Sequence, residues 1–595
     1  MTHDLARLCA SHGIEPTYIG IDGREHAVPE ETLAALAGIF GIEEPGTPPP
    51  GIAEAREERD PPQCHVPDNL RDARAWGLTC QLPSLASDRN LGMGDFADLA
   101  ALCRLAAAEG ADFLGLNPLN ALFWSDPGRV SPFSPSNRRF LNPLYLTPEW
   151  IDGFDGLSPE QEHEAARLRA PALVDAQGVA RLKQPLLRRL FERFPWNEQR
   201  RAAFVEFCKA GGDALESHAL FEAISEVMVA DGHWAGWPSW PEAFRERRGT
   251  EVEAFARTHR DRVEFHLWLQ WQADAQLGRV QREAREAGMR LGLYLDFAVG
   301  ASPDGSAAWT DPDLTVPGVS IGAPPDDFSA GGQDWGLAPL SPVRLAALDC
   351  RPFANTMAAV LRHAGALRID HAMSVARLWL IPRGGPATHG AYVRYPLSAL
   401  LARIAEASEN NRAVVIGEDL GVVPHGFRDL MADRRFHSYK IFFFERTPSG
   451  YADPAEWPVD ALACAATHDT PTFTGWWQGT DLDLRRDLGM LDAEGWEAEH
   501  ASRERNRDAV RRILGRSGGA TELSPLLHAH IASSPCRLVG LQIEDALGIA
   551  EQVNLPGTVD EHPNWRRRLP VTVDRIAEQP GFRAHVAAMR QARPR

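Results

Sequence analysis

Ala366-Leu367-Arg368-Ile369-Asp370-His371 passes from apolar to charged within one short run. The same pattern recurs in Val414-Val415-Ile416-Gly417-Glu418-Asp419 and in Ala465-Ala466-Thr467-His468-Asp469-Thr470. A buried strand that ends in a carboxylate is costly unless the charge is paired or used. In a strand, residues two apart share a side, so Arg368 and Asp370 point the same way and Ile369 points oppositely. An opposite charge within a few ångströms lowers a carboxylate pKa by about 1–3 units, which suits a nucleophile at Asp370. Glu418 lies 48 positions on, roughly one or two βα units, and Asp469 a further 51. A second carboxylate near an ionised first one is pushed toward the protonated form, which suits a general acid at Glu418. Two carboxylates in these roles are the machinery of retaining glycosidic-bond cleavage. The third, Asp469, would hold sugar hydroxyls as positive charge builds on the ring. A lone Asp at a strand end is more often a helix N-cap. Three such ends together, two of them flanked by Arg or His, favour catalysis.

Working outward, apolar runs fitting buried strands occur at Gly77–Cys80, Phe113–Leu116, Arg290–Leu295, Ala366–Asp370, Ala413–Gly417, Tyr439–Phe444, Ala461–Thr467 and Arg537–Ile543. Amphipathic stretches separate them. This alternation predicts an α/β fold, a (β/α)8 TIM barrel. Long helical patterns such as Pro185–Phe194 and Arg262–Ala287 mark a helical insertion at about 148–288. Residues 1–43 read as a small helical unit, with Leu5, Leu8 and Cys9 on one face and Leu33, Leu36, Ala37 and Phe40 on another. Packing against the barrel is its expected task. Residues 44–69 read as a Pro-rich linker and 70–595 as the catalytic barrel.

The 595 residues suit one large domain with insertions or two to three domains, and the 44% apolar and 24% charged content is ordinary for a globular protein. A formal charge of -19 argues against nucleic acid or an anionic membrane surface and is compatible with a neutral ligand. No basic start leads into an apolar stretch, and no run reaches membrane-spanning length, so the cytoplasm is the expected compartment. The eight cysteines are scattered without a Cys-x-x-Cys pair, so neither a zinc site nor a disulfide framework is expected.

The segments Leu367–His371, Gly417-Glu418-Asp419-Leu420-Gly421 and Thr467-His468-Asp469 resemble the signatures of the 4-α-glucanotransferases (amylomaltases, glycoside hydrolase family 77). Also similar are Gly390–Pro396, Pro324–Ser329 with Gly332–Gly336, Asn554–Thr558 with His562–Arg566, and Ser131–Phe133 with Asn142–Tyr145. Together they span about residues 70–575. The resemblance implies Asp370 as nucleophile, Glu418 as acid/base and Asp469 as transition-state carboxylate. It implies sugar contacts from Arg368, His371, His468 and Asp304, with Trp309 in the same segment. It places Asp326, Phe328 and Trp335 on a loop over the acceptor side, and Ser131 and Asn142 near the donor. Maltooligosaccharides and α-1,4-glucans are the implied partners, with no cofactor and no metal. Three positions depart from the pattern: Phe133 where Tyr is common, Asp327 where an aromatic is usual, and Asn120 where His is common. Trp124, Trp309, Trp335, Trp476 and Trp477 are candidate sugar platforms, although a core place is the commoner reading for any one of them, and Gly331-Gly332 is a candidate flexible element in a water-excluding lid.

Three alternative functions fit the sequence less well. An α-glucan hydrolase of the same clan would carry an early Asp-x-x-x-x-Asn-His segment and Asn-His-Asp in place of Thr-His-Asp. A non-catalytic glucan-binding protein would need none of the three acids. A metal hydrolase would need a His-x-His or His-x-x-x-His pair, which is missing.

Overall fold

The structure, a computed structural model, describes residues 2–42, 61–325, 329, 331–448 and 450–594. Eight parallel strands form the centre: β1 (Ala75–Cys80), β2 (Phe113–Leu116), β3 (Gly292–Phe297), β4 (Ala366–Ile369), β5 (Val414–Gly417), β6 (Ser438–Ile441), β7 (Ala461–Cys464) and β8 (Leu538–Gln542). Each falls on one of the eight runs picked out above. Their order around the sheet is β5-β4-β3-β2-β1-β8-β7-β6. A parallel bridge between Ile416 and His437 joins β5 to β6, with Gly417 N donating to His437 O at 2.8 Å. The sheet is thereby an eight-stranded, nearly closed barrel, and helices surround it.

The period-two alternation sorts side chains between two cores. Tyr294, Ala366, Val414, Ile416, Tyr439, Ile441, Leu462 and Cys464 share the cluster inside the barrel. Leu293, Leu295, Leu367, Ile369, Val415, Ala461 and Ala463 face the helices. Asp296, Arg368, Asp370 and Glu418 have the inward parity, so each strand that packs its apolar residues correctly aims a charge at the barrel mouth.

The helix Phe96–Ala108 starts at a capping box in which Asp95 accepts from Ala97 N and Asp98 N while Asp98 accepts from Asp95 N. Helices Pro159–Arg169, Ala176–Glu192, Glu198–Ala230, Thr250–Thr258 and Arg260–Glu286 fill the region read as an insertion. The last of these packs along Phe96–Ala108 and leads straight into β3, the position of a barrel crossover helix.

A four-stranded antiparallel sheet, in the order Ala391–Arg394, Arg377–Pro382, Val319–Ala323, Gln333–Leu337, stands beside the barrel mouth. Its strands come from the segments after β3 and β4. The N-terminal unit docks on it. That unit contains the two expected helices, Thr2–Ser11 and Glu30–Ile39, and also a hairpin, Thr17–Ile19 with Glu25–Ala27, which the helical reading did not include. Three-residue strands are too short to show a period. Glu15 N donates to Tyr392 O at 2.8 Å, and the Glu15 carboxylate takes Arg377 at 2.7 Å and Arg394 at 3.1 Å. Tyr18 meets the edge of Trp379, ring centres 4.8 Å apart. The segment read as a linker lies outside the described residues as far as residue 60. Among the described residues no helix is long and apolar enough to cross a membrane.

Candidate active site

A cleft of about 900 Å³ opens at the barrel mouth, near the upper end of the range for small-ligand pockets. Arg368 is its electrostatic hinge. Its guanidinium is buried and reaches both oxygens of Asp296 at 2.8 Å, Asp370 Oδ1 at 3.0 Å and Glu418 Oε2 at 3.8 Å. The register explains this: Arg368 lies opposite Asp296 on the neighbouring β3, and Ile369 opposite Gly417 on β5.

After β4 the chain turns sharply at His371, which sits in the left-handed region at φ 46°. A non-glycine residue there stores strain of about 1 kcal/mol or more. The turn directs the His371 N–H at Glu418 Oε2, 2.6 Å away. A side chain at Gly417, which precedes Glu418, would come within 2.6 Å of the movable Met431 Cε and 3.1 Å of Ala372 Cβ, so the strand packs tightly here. Burial pushes the Glu418 carboxyl up to about 8, Arg368 opposing and Asp370 assisting, so it carries a proton at neutral pH. Burial also lowers His371 to about 4, leaving it neutral.

Asp469 is placed by a hydroxyl-bonded turn: Thr467 N donates to Thr470 Oγ1 at 2.8 Å and Asp469 N to Thr467 Oγ1 at 3.2 Å. Asn554 Nδ2 donates to Asp469 Oδ1 at 2.7 Å, and His468 Nε2 lies 3.3 Å from Oδ2. Burial works against the Asp469 charge, but His468, Asn554 and Arg368 outweigh it and hold the carboxyl below its ordinary value. Burial likewise opposes charge on His468, and Asp469 overcomes it, raising the imidazole. His468 stacks on Phe133 at 4.7 Å, and Trp565 lies 5.3 Å from it.

Of the residues singled out from sequence, Ser131, Trp335, Arg368, Asp370, His371, Glu418 and Asp469 line the cleft, and His468 lies just behind Phe133. Trp335 meets the edge of His371 at 5.4 Å. Other sequence candidates lie elsewhere. Trp309 is 1% exposed, packed against Phe221 and Trp240 with its Nε1 donating to Phe244 O, so it is a core residue. Asn142 is buried and spends its oxygen on Leu144 N, capping a short helix outside the cleft lining. Asp304 does not line the cleft but grips Arg129, which does, at 2.8 Å. Trp124, Trp476 and Trp477 are buried in the core. Asp326 and Phe328, with Asp327, lie outside the described residues.

Two site residues were missed. Asp296 follows the apolar run Leu293-Tyr294-Leu295, a signal like that of the other acids, but the expected strand stopped one residue short of it. Burial pushes it up to about 6 although Arg368 opposes this. Asn554, within a segment quoted for its resemblance, was given no contact to Asp469. Among the described residues no group of three or more His, Cys, Asp or Glu is arranged to hold a metal.

The profile of a family described as 4-alpha-glucanotransferase matches residues 80–572. The chain belongs to the 4-alpha-glucanotransferase family. Relatives of that name support the membership. The Haemophilus influenzae 4-alpha-glucanotransferase is 35% identical over 541 residues, covering 86% of this chain and 77% of that one. The Mycobacterium tuberculosis 4-alpha-glucanotransferase is 38% identical over 533 residues, covering 85% and 72%. The amylomaltase structure from Corynebacterium glutamicum superposes with a TM-score of 0.86 at 26% identity, covering 99% of both chains. The barrel of this 4-alpha-glucanotransferase is thus the amylomaltase barrel, and its activity is that of its family.

Proposed function

We propose that this chain moves α-1,4-glucan segments between maltooligosaccharides by double displacement, with Asp370 as nucleophile and Glu418 as acid/base. The observation that carries the assignment is one buried guanidinium, Arg368, touching Asp370 at 3.0 Å and facing Glu418 at 3.8 Å. Two carboxyls, of which burial pushes Glu418 toward its protonated form, therefore converge on one guanidinium in the cleft. In the first step an Asp370 oxygen bonds to the anomeric carbon, the glycosidic C–O bond breaks, and the Glu418 proton passes to the departing oxygen. In the second, Glu418 takes the proton of an incoming 4-hydroxyl, whose oxygen displaces Asp370. Asp469, fixed by Asn554 and His468, holds sugar hydroxyls as the ring gains positive charge. Arg368 and His371 flank the cleaved linkage, His468 supports it from behind Phe133, Trp335 covers an adjoining sugar face, and Ser131 lines the same cleft.

Incubation with maltotriose alone tests this. A ladder of longer maltooligosaccharides plus glucose supports transfer. Glucose and maltose without longer chains would make the enzyme a hydrolase, and no change would leave only binding.

A further inference from the structure

Trp234 is 81% exposed, the one aromatic side chain among the large apolar residues exposed to this degree in the described part of the chain. It is not on a loose loop. Trp234 N donates to Ser239 Oγ at 3.1 Å, Ser239 Oγ lies 3.1 Å from Trp234 O, and Trp240 Nε1 reaches the same carbonyl at 3.2 Å. One residue on, Ala235 O accepts from Ser225 Oγ at 3.0 Å. The backbone is thus pinned on both sides while the indole is left in water. Among the described residues no ring stacks on it.

Its loop rests against the turn that holds a cleft residue. Trp237 N donates to Asp304 O at 3.3 Å and Trp237 Nε1 to Pro303 O at 3.1 Å, so the loop rests on the Asp304 turn. Asp304 in turn holds Arg129, a residue of the cleft wall. Arg129 and Asp304 are each about one-third exposed, and Gly236, two residues after Trp234, packs on the Asp304 carboxylate, so the exposed indole stands one loop away from a charged pair at the cleft edge. Hydrogen-bonding groups followed by an aromatic face match the polar rim and apolar C–H face of a glucose unit. The chain's formal charge of -19 favours a neutral ligand there too.

We propose that Trp234 is an outer sugar platform that takes a further glucose unit of a long α-1,4-glucan emerging from the cleft past Arg129 and Asp304. The ligand class rests on the glucan-transfer reading. Native electrophoresis of the full chain in gels containing soluble amylose tests binding without turnover. Trp234→Ala should weaken retardation by amylose about tenfold, as expected for losing one stacked face. Trp234→Phe should retain most of it, and maltotriose disproportionation should stay at the parent rate in both. Unchanged retardation of Trp234→Ala would overturn the platform, as would an equal loss of amylose binding and maltotriose turnover, which would mark a folding role. If the parent makes no ladder from maltotriose yet binds amylose through Trp234, the transfer reading falls and the platform stands.

Discussion

Glu418 keeps its proton because burial beside Asp370 disfavours a second negative charge. The kcat/KM for maltotriose should therefore fall on the alkaline side with a midpoint near pH 8, and a titration of initial rates checks it. The same shift has a stability consequence. Between the ordinary carboxyl value of 4.5 and about 8 the folded state holds a proton that the unfolded chain has released, so stability drains away as pH rises through that window. Glu418→Gln cannot ionise. Its melting temperature should exceed that of the parent by a margin that grows from about pH 5 to about pH 9, while its transfer activity is lost. Asp370→Asn should lower turnover on the order of 10³-fold or more with an unchanged circular dichroism spectrum. Retained ladder formation would remove Asp370 from its role. Residue identity was readable where it sat at the end of an apolar run, as with Asp370 and Glu418. Exposure was not readable, which is why Trp309, buried by its neighbours, passed for a sugar contact.

The eight barrel strands were legible because each is a run of apolar residues buried on both faces, a pattern that needs no partner to be recognised. The antiparallel sheet beside the mouth was not. Its strands, such as Gln333–Leu337, mix Trp, Asp and Gly, and pairing partners rather than composition hold them extended. The Asn554 segment is irregular, and its task shows only when it is folded against Asp469. Asn554→Ala removes a charge-orienting donor and should lower kcat about tenfold with little change in KM. Equal effects on both would argue for a direct sugar contact instead. Glu15 is the corresponding pin of the N-terminal unit. Glu15→Ala leaves Arg377, a half-buried cation, without its partner and should weaken docking by about 1–3 kcal/mol. Limited proteolysis should then release the N-terminal unit faster than from the parent.

At the scale of the molecule, the strong negative charge has no neutral sugar to steer. The KM for maltotriose should vary less than about twofold between low and high salt, because screening acts on charged partners. The order of strands has a different consequence, concerning synthesis. β1, made early, lies between β2 and β8, so the barrel cannot close until the chain has been made through Gln542. The N-terminal unit waits as well, since Glu15 and Arg377 are 362 positions apart. At about 5–20 residues per second that is roughly half a minute during which the N-terminal unit has no surface to dock on. Its apolar side chains, Tyr18 among them, stay without their folded-state cover, the Trp379 ring included, for that whole interval.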